Sequence, residues 1–125
     1  LVSNDEVPLT RAMINLDMVG DRDLNITLPK NSSRELASLA LKAAEKIGQR
    51  SKFSLFKTAI GDDHVWFLQL GIPAIDLIDF EFGSESGEHD FWHTSEDTID
   101  KLSPESLEIV GQVTLEMLNK LSQGE

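Results

Sequence analysis

His93 is the residue of this 125-residue chain best placed for chemistry. It lies in Asp90-Phe91-Trp92-His93-Thr94-Ser95-Glu96-Asp97-Thr98, beside an indole and among carboxylates. Imidazole is the commonest metal ligand and titrates near neutral pH, and Trp92 offers an apolar wall next to it. The other two histidines are His64 and His89. Further acidic residues stand where apolar ones are expected: Asp17 near the end of one apolar run, the Asp62-Asp63-His64 turn, and Asp76 inside another run. Each has a structural alternative. Asp17 could pair with a buried Arg or Lys, Asp62 could cap a helix, Asp76 could sit on a strand edge, and His93 could be an exposed loop residue. A buried carboxylate without a partner is costly, so several of them at one end of a sheet call for a cation.

The elements that position these residues are legible from pattern. Residues 12–19 form a mostly apolar run of strand length closed by Gly20, as expected for a strand covered on both faces. Residues 24–28 read as an alternating excursion or edge strand stopped by Pro29. Ser32 followed by Glu35 is a capping-box pattern, and Leu36, Leu39, Ala40, Ala43 and Ile47 then share one helical face up to Gly48. Residues 53–60 read as the next strand. Gly61-Asp62 turns the chain into a short helix, with Asp62 as its N-cap, that ends at Gly71-Ile72-Pro73. Residues 74–80 form a further strand. Residues 81–102 are a long loop rich in Gly, Ser and Glu, a length that is usually functional or disordered. Ser103-Pro104 opens a closing helix with Leu107, Val110, Thr114, Met117, Leu118 and Leu121 on one face, Met117 being core. Strand and helix alternate, which predicts an α/β fold with a mostly parallel sheet and crossover helices. In such sheets ligands gather at the carboxyl ends of strands, where Asp17, the Asp62 turn, Asp76 and the His93 loop are expected.

Composition sets bounds on partners. A formal charge of −11, from 22 acidic and 11 basic residues, repels phosphate backbones and anionic lipid, so neither nucleic acid nor a membrane surface is the expected partner. There is no Cys, so any metal must be held by His and carboxylates. No apolar run approaches the roughly 18 residues of a membrane span, and residues 1–10 form a polar lead-in without signal-peptide character. The length and 40% hydrophobic content suit one domain or part of one. The first residue is Leu rather than Met, which suggests a piece of something longer.

Three blocks carry a resemblance: Ile14-Asn15-Leu16-Asp17-Met18-Val19-Gly20; Asp62-Asp63-His64 with Phe67 and Gly71-Ile72-Pro73; and Trp92-His93-Thr94 with Asp97-Thr98. In this order and spacing, over about residues 12–121, the chain resembles the zinc-dependent aminopeptidase superfamily that also contains the glutaminyl-peptide cyclotransferases. The resemblance implies a zinc exopeptidase-type α/β/α domain, zinc as cofactor with one or two ions, and the N-terminus of a peptide as substrate. Residue by residue, it implies that Asp17 is a metal ligand in two-zinc peptidases or a catalytic hydrogen-bonding acid in one-zinc cyclases, and that His93 is a zinc ligand in both. It implies a proton-shuttling role for Asp62, with Asp76 in the same network where animal glutaminyl cyclases would carry a His. Asp63 and His64 would support that network. Trp92 and Ile72 would line the substrate pocket, and Thr94 and Asp97 would fix the loop that aims the imidazole.

The family's upstream Asp, its adjacent Glu-Glu pair and the peptidases' first His have no counterpart in these 125 residues. The chain is therefore expected to be the carboxyl-terminal half of the catalytic domain, completed by the missing N-terminal half or by a second copy. The expected function is an aminopeptidase-type zinc exopeptidase, with glutaminyl cyclisation as the alternative and a non-catalytic remnant of the fold as the third reading. Relatives of this kind are often exported.

Overall fold

The computed structural model describes residues 9–85 and 88–123; of the expected lead-in, residues 1–8 lie outside them. Four strands build one sheet in the order β1-β4-β2-β3: β1 Met13–Asp17, β2 Ile26–Leu28, β3 Phe53–Leu55 and β4 Ala74–Ile78. β1 runs parallel to β4 with Asn15 opposite Asp76 and Asp17 opposite Ile78. β2 runs parallel to β3, and the two pairs meet antiparallel at Thr27 and Ile78. The sheet is thus mostly parallel, in an α/β fold.

Alternation of side chains along β4 explains the layers. Ile75 and Leu77 point to one face, where they join Ile26, Leu28 and Phe53 in the core under α1 (Arg34–Lys46) and α3 (Pro104–Ser122). Asp76 points to the other face, beneath α2 (His64–Gln69), where the fully buried His64 lies 3.6 Å from it. Three layers result, and every residue of β4 is buried.

Several local expectations are corrected. Residues 24–28 yield β2, which is an inner strand between β4 and β3 with all three residues buried, and not an edge. The strand expected over residues 53–60 is only Phe53–Leu55. The Phe56 N–H still reaches the Leu28 carbonyl at 2.8 Å, but β2 then meets Pro29, which has no N–H to continue the ladder. The cap of α1 is Ser33, whose Oγ accepts the Leu36 N–H at 3.4 Å, in place of Ser32. The residue preceding α2 is Asp63, in place of Asp62. Among backbone groups Asp62 accepts the N–H of Asp63, and its carboxyl is otherwise engaged with the sheet residues Asp17 and Asp76. On α3 the buried line is Ser106, Val110, Val113 and Met117. Leu107 and Leu118, placed on the core face from sequence, are about half exposed.

Candidate active site

Asn15, Asp17 and Asp76 lie on the α2 face of two adjacent parallel strands, because β1 and β4 pair in register at Asn15 and Asp76 and Asp17 is two residues further along the same face. Asn15 Nδ2 donates to Asp76 Oδ1 at 3.0 Å. The turn before α2 brings Asp62 down onto this pair, within hydrogen-bonding reach of both Asp17 and Asp76. Three carboxyls therefore form a chain, Asp17 to Asp62 to Asp76, beneath a buried imidazole.

Their charges separate accordingly. Burial, reinforced by Asp62, pushes the Asp76 carboxyl up to about 8 and that of Asp17 up to about 6. Burial also acts to raise Asp62, but the hydrogen bonds from Asp17 and Asp76 outweigh it and hold Asp62 below the usual carboxylate range. At neutral pH Asp62 is the ionised member and Asp76 the protonated one. Neither Asp62 Oδ2 nor Asp76 Oδ2, both buried, has an N–H or hydroxyl donor among the described residues, and a proton shared between the carboxyls removes the cost of leaving them so. Burial lowers the pKa of His64 despite its acidic neighbours, so this ring stands neutral beside Asp76.

Asp17 also faces a cavity of about 450 Å³ lined by Met18, Gly20, Asp21, Phe82, Trp92, His93, Asp97 and Leu102. The long loop forms one wall. Its far end is tied back to the β1–β2 turn. Ser103 N–H donates to the Gly20 carbonyl at 2.9 Å and Arg22 N–H to Lys101 at 2.8 Å, and Arg22 Nη2 donates to the Leu102 carbonyl at 2.8 Å. Thr94 Oγ1 donates to the Phe91 carbonyl at 2.6 Å and accepts the Glu96 N–H at 3.2 Å, which sets the turn after His93. The Trp92 and His93 rings stack at 3.9 Å. His93 (φ 57°) and Met18 (φ 53°) both occupy the left-handed backbone region, which a non-glycine residue holds only under constraint, often at a functional site.

The structure thus brings Asp17, Trp92, His93 and Asp97 to one cavity and Asp62, Asp76 and His64 to the carboxyl chain behind it, with Asp17 common to both. Asp63 is exposed at the start of α2. Ile72, which follows α2 and precedes β4 in the chain, is 3% exposed and does not line this cavity. Sequence reasoning passed over Asn15, although its period-2 relation to Asp17 put it on the same face, and over Asp21, Asp79 and His89. Asp79 is fully buried. It accepts the Asn25 and Glu81 N–H groups at 3.1 and 2.9 Å, and burial together with the nearby Asp21 carboxyl raises its pKa to about 8.

Carboxylate and imidazole are donors that zinc accepts, but a zinc site needs about three protein ligands. Among the described residues no group of three His, Cys, Asp or Glu could hold a metal ion. The chain supplies a partial donor set of suitable chemistry.

Comparison with known proteins follows the same lines. The chain has no match among curated proteins. Among solved structures it is similar to the glutaminyl cyclase of an Acidobacteriales bacterium (36% identity, TM-score 0.87, covering 98% of this chain and 42% of that one). It is also similar to the glutaminyl cyclase of Porphyromonas gingivalis (31%, TM-score 0.77, 89% and 42%) and to a Zn-dependent exopeptidase from Parabacteroides distasonis (32%, TM-score 0.74, 90% and 41%). The chain spans about two-fifths of the length of these relatives. The profile of Peptidase family M28 matches residues 1–118, and with the α/β fold described above it establishes that this chain belongs to that family.

Proposed function

We propose that the gene product carrying this chain is a glutaminyl-peptide cyclase, with His93 as a zinc ligand and Asp17 in the proton-handling network. The observation that carries this reading is the carboxyl chain itself: Asp17 is engaged with Asp62, which is engaged with Asp76, and carboxyls that share protons suit internal aminolysis. In that reaction the α-amine nitrogen of an N-terminal glutamine attacks its own side-chain amide carbon, a C–N bond forms, and ammonia leaves. The amine must lose a proton and the departing nitrogen must gain one. The ionised Asp62 accepts the first and returns it to the leaving group, while the protonated Asp76 keeps Asp62 in place and Asn15 holds Asp76. Zinc, when bound, polarises the amide carbonyl toward attack. Trp92 and Phe82 give the cavity apolar walls that shield the proton transfers from water.

Similarity to a Zn-dependent exopeptidase favours the second reading, in which Asp17 is itself a ligand and an activated water cleaves the first peptide bond. The products separate the two. Incubated with a glutaminyl peptide, the gene product is expected to release ammonia and a peptide of unchanged residue count carrying pyroglutamate, as read by mass spectrometry. Release of free glutamine would select the peptidase reading.

A further inference from the structure

Four rings stand in series between the sheet and the cavity. Phe80, just past β4, stacks on His89 at 4.2 Å with the planes 26° apart. His89 stacks on Trp92 at 5.3 Å and the same angle, and Trp92 stacks on His93 at 3.9 Å and 22°. The series starts from a fixed point, because the Phe80 N–H donates to Thr27 Oγ1 at 3.1 Å and Phe56 packs edge-on against the Phe80 ring at 5.9 Å. His89 is pinned a second way. Its Nδ1 accepts the Phe82 N–H at 3.1 Å, so that nitrogen carries a lone pair, and burial lowers the pKa of the ring in agreement.

The loop base around it is closed. Phe91 N–H donates to the Phe82 carbonyl at 3.1 Å, and Ser84 donates to the Asp90 carboxylate through its N–H and its hydroxyl, each at 2.7 Å. A Cβ on Gly83 would collide with the Glu88 carbonyl and the Asp90 carboxylate. Beyond this base the chain reaches His93 in the left-handed region, a conformation that persists only where the surroundings over-determine it.

We propose that His89 is a positioning residue for His93: stacked between Phe80 and Trp92 and hydrogen-bonded to the Phe82 amide, it sets the plane of Trp92 and through it the direction in which the His93 imidazole meets the cavity. The inference rests on the reading of His93 as a zinc ligand. Both features of His89 are used at once. Phe at this position would keep the stack and lose the acceptor, and Asn would keep an acceptor in the Nδ1 position and lose the ring.

The test is zinc affinity, measured by competition with a chromophoric chelator, alongside thermal unfolding of the same gene product. His89→Ala is expected to weaken zinc binding about tenfold or more, the range seen when groups that orient a ligand are lost. His89→Phe and His89→Asn should each recover part of the affinity and neither all of it. If His89→Ala fails to fold, the Phe and Asn variants decide. Wild-type zinc affinity in every variant that folds, whatever its melting temperature, overturns the proposal and leaves His89 as packing alone. His93→Ala, run in parallel, keeps the two ideas apart. Zinc loss in His93→Ala with none in the His89 variants sinks only the positioning role, whereas zinc retention in His93→Ala sinks the ligand reading and this inference with it.

Discussion

On the proposed reading Asp62, the middle carboxyl of the chain, is the reacting one, and its effect is separable from metal binding. Asp62→Asn keeps the shape and one acceptor oxygen, but removes the anion that accepts the amine proton. We expect kcat to fall about 100-fold or more, the usual contribution of a general base, with zinc content unchanged; stopped-time ammonia assays beside metal analysis check both. At this scale the sequence was informative wherever a charged residue interrupted an apolar run. Asp17 and Asp76 stood out on that ground, and Asp62 did so from its place at a turn after Gly61. Asn15 did not, because an amide within a strand carries no charge to be explained, and its meaning is visible only once β1 and β4 are in register. Ile72, read from sequence as pocket lining, is buried beside Pro73 and does not line the cavity that Asp17 and His93 face.

Between elements, the Asp21–Asp79 carboxyl pair joins the β1–β2 turn to the end of β4, just below the loop that carries His93. Asp21 Oδ1 accepts the Asp23 N–H at 2.9 Å, Asp79 accepts those of Asn25 and Glu81, and the Ser106 hydroxyl donates to the Asp21 carbonyl at 2.6 Å. With the folded-state pKa of Asp79 raised to about 8 from about 4 in an unfolded chain, the folded form holds this proton more tightly. Its contribution to stability is complete below about pH 4, is lost as pH rises, and has gone once pH exceeds about 8. Asp21→Asn replaces the shared proton with an amide N–H donor and lets Asp79 ionise in place. Chemical denaturation across pH 5–9 is expected to show a shallower decline in the variant and a gain of roughly 1 kcal/mol at pH 8; an unchanged pH slope would contradict the pairing. The helices were legible from their periodicity and caps, because α1 and α3 have apolar faces and hydroxyl caps. Strand ends were not, since β3 stops where Pro29 ends its partner, a fact about a neighbour and not about residues 53–60. The Asp21–Asp79 pair was hidden for the same reason: nothing local to either residue names the other.

At the scale of the molecule, β1 is one edge of the sheet and β3 the other, and Asp17 and His93 therefore face the cavity beside an edge that a further segment can extend. The chain covers about two-fifths of its structural relatives, its described residues hold no complete metal site, and its exposed apolar residues include Leu16 on β1 itself, 45% exposed. The α/β class and the mostly parallel sheet were readable from alternating patterns. The antiparallel meeting of β2 and β4 was not, because it depends on where each strand lies in the sheet. On the proposed reading Asp17 handles protons and His93 holds the metal. Zinc content and affinity of the gene product should therefore be measured for Asp17→Asn and His93→Ala, each with its ammonia-release rate. On that reading His93→Ala loses zinc and activity together, while Asp17→Asn keeps zinc at near wild-type affinity and still loses most of its activity. Loss of zinc in Asp17→Asn would contradict it and make Asp17 a ligand, as the peptidase reading requires.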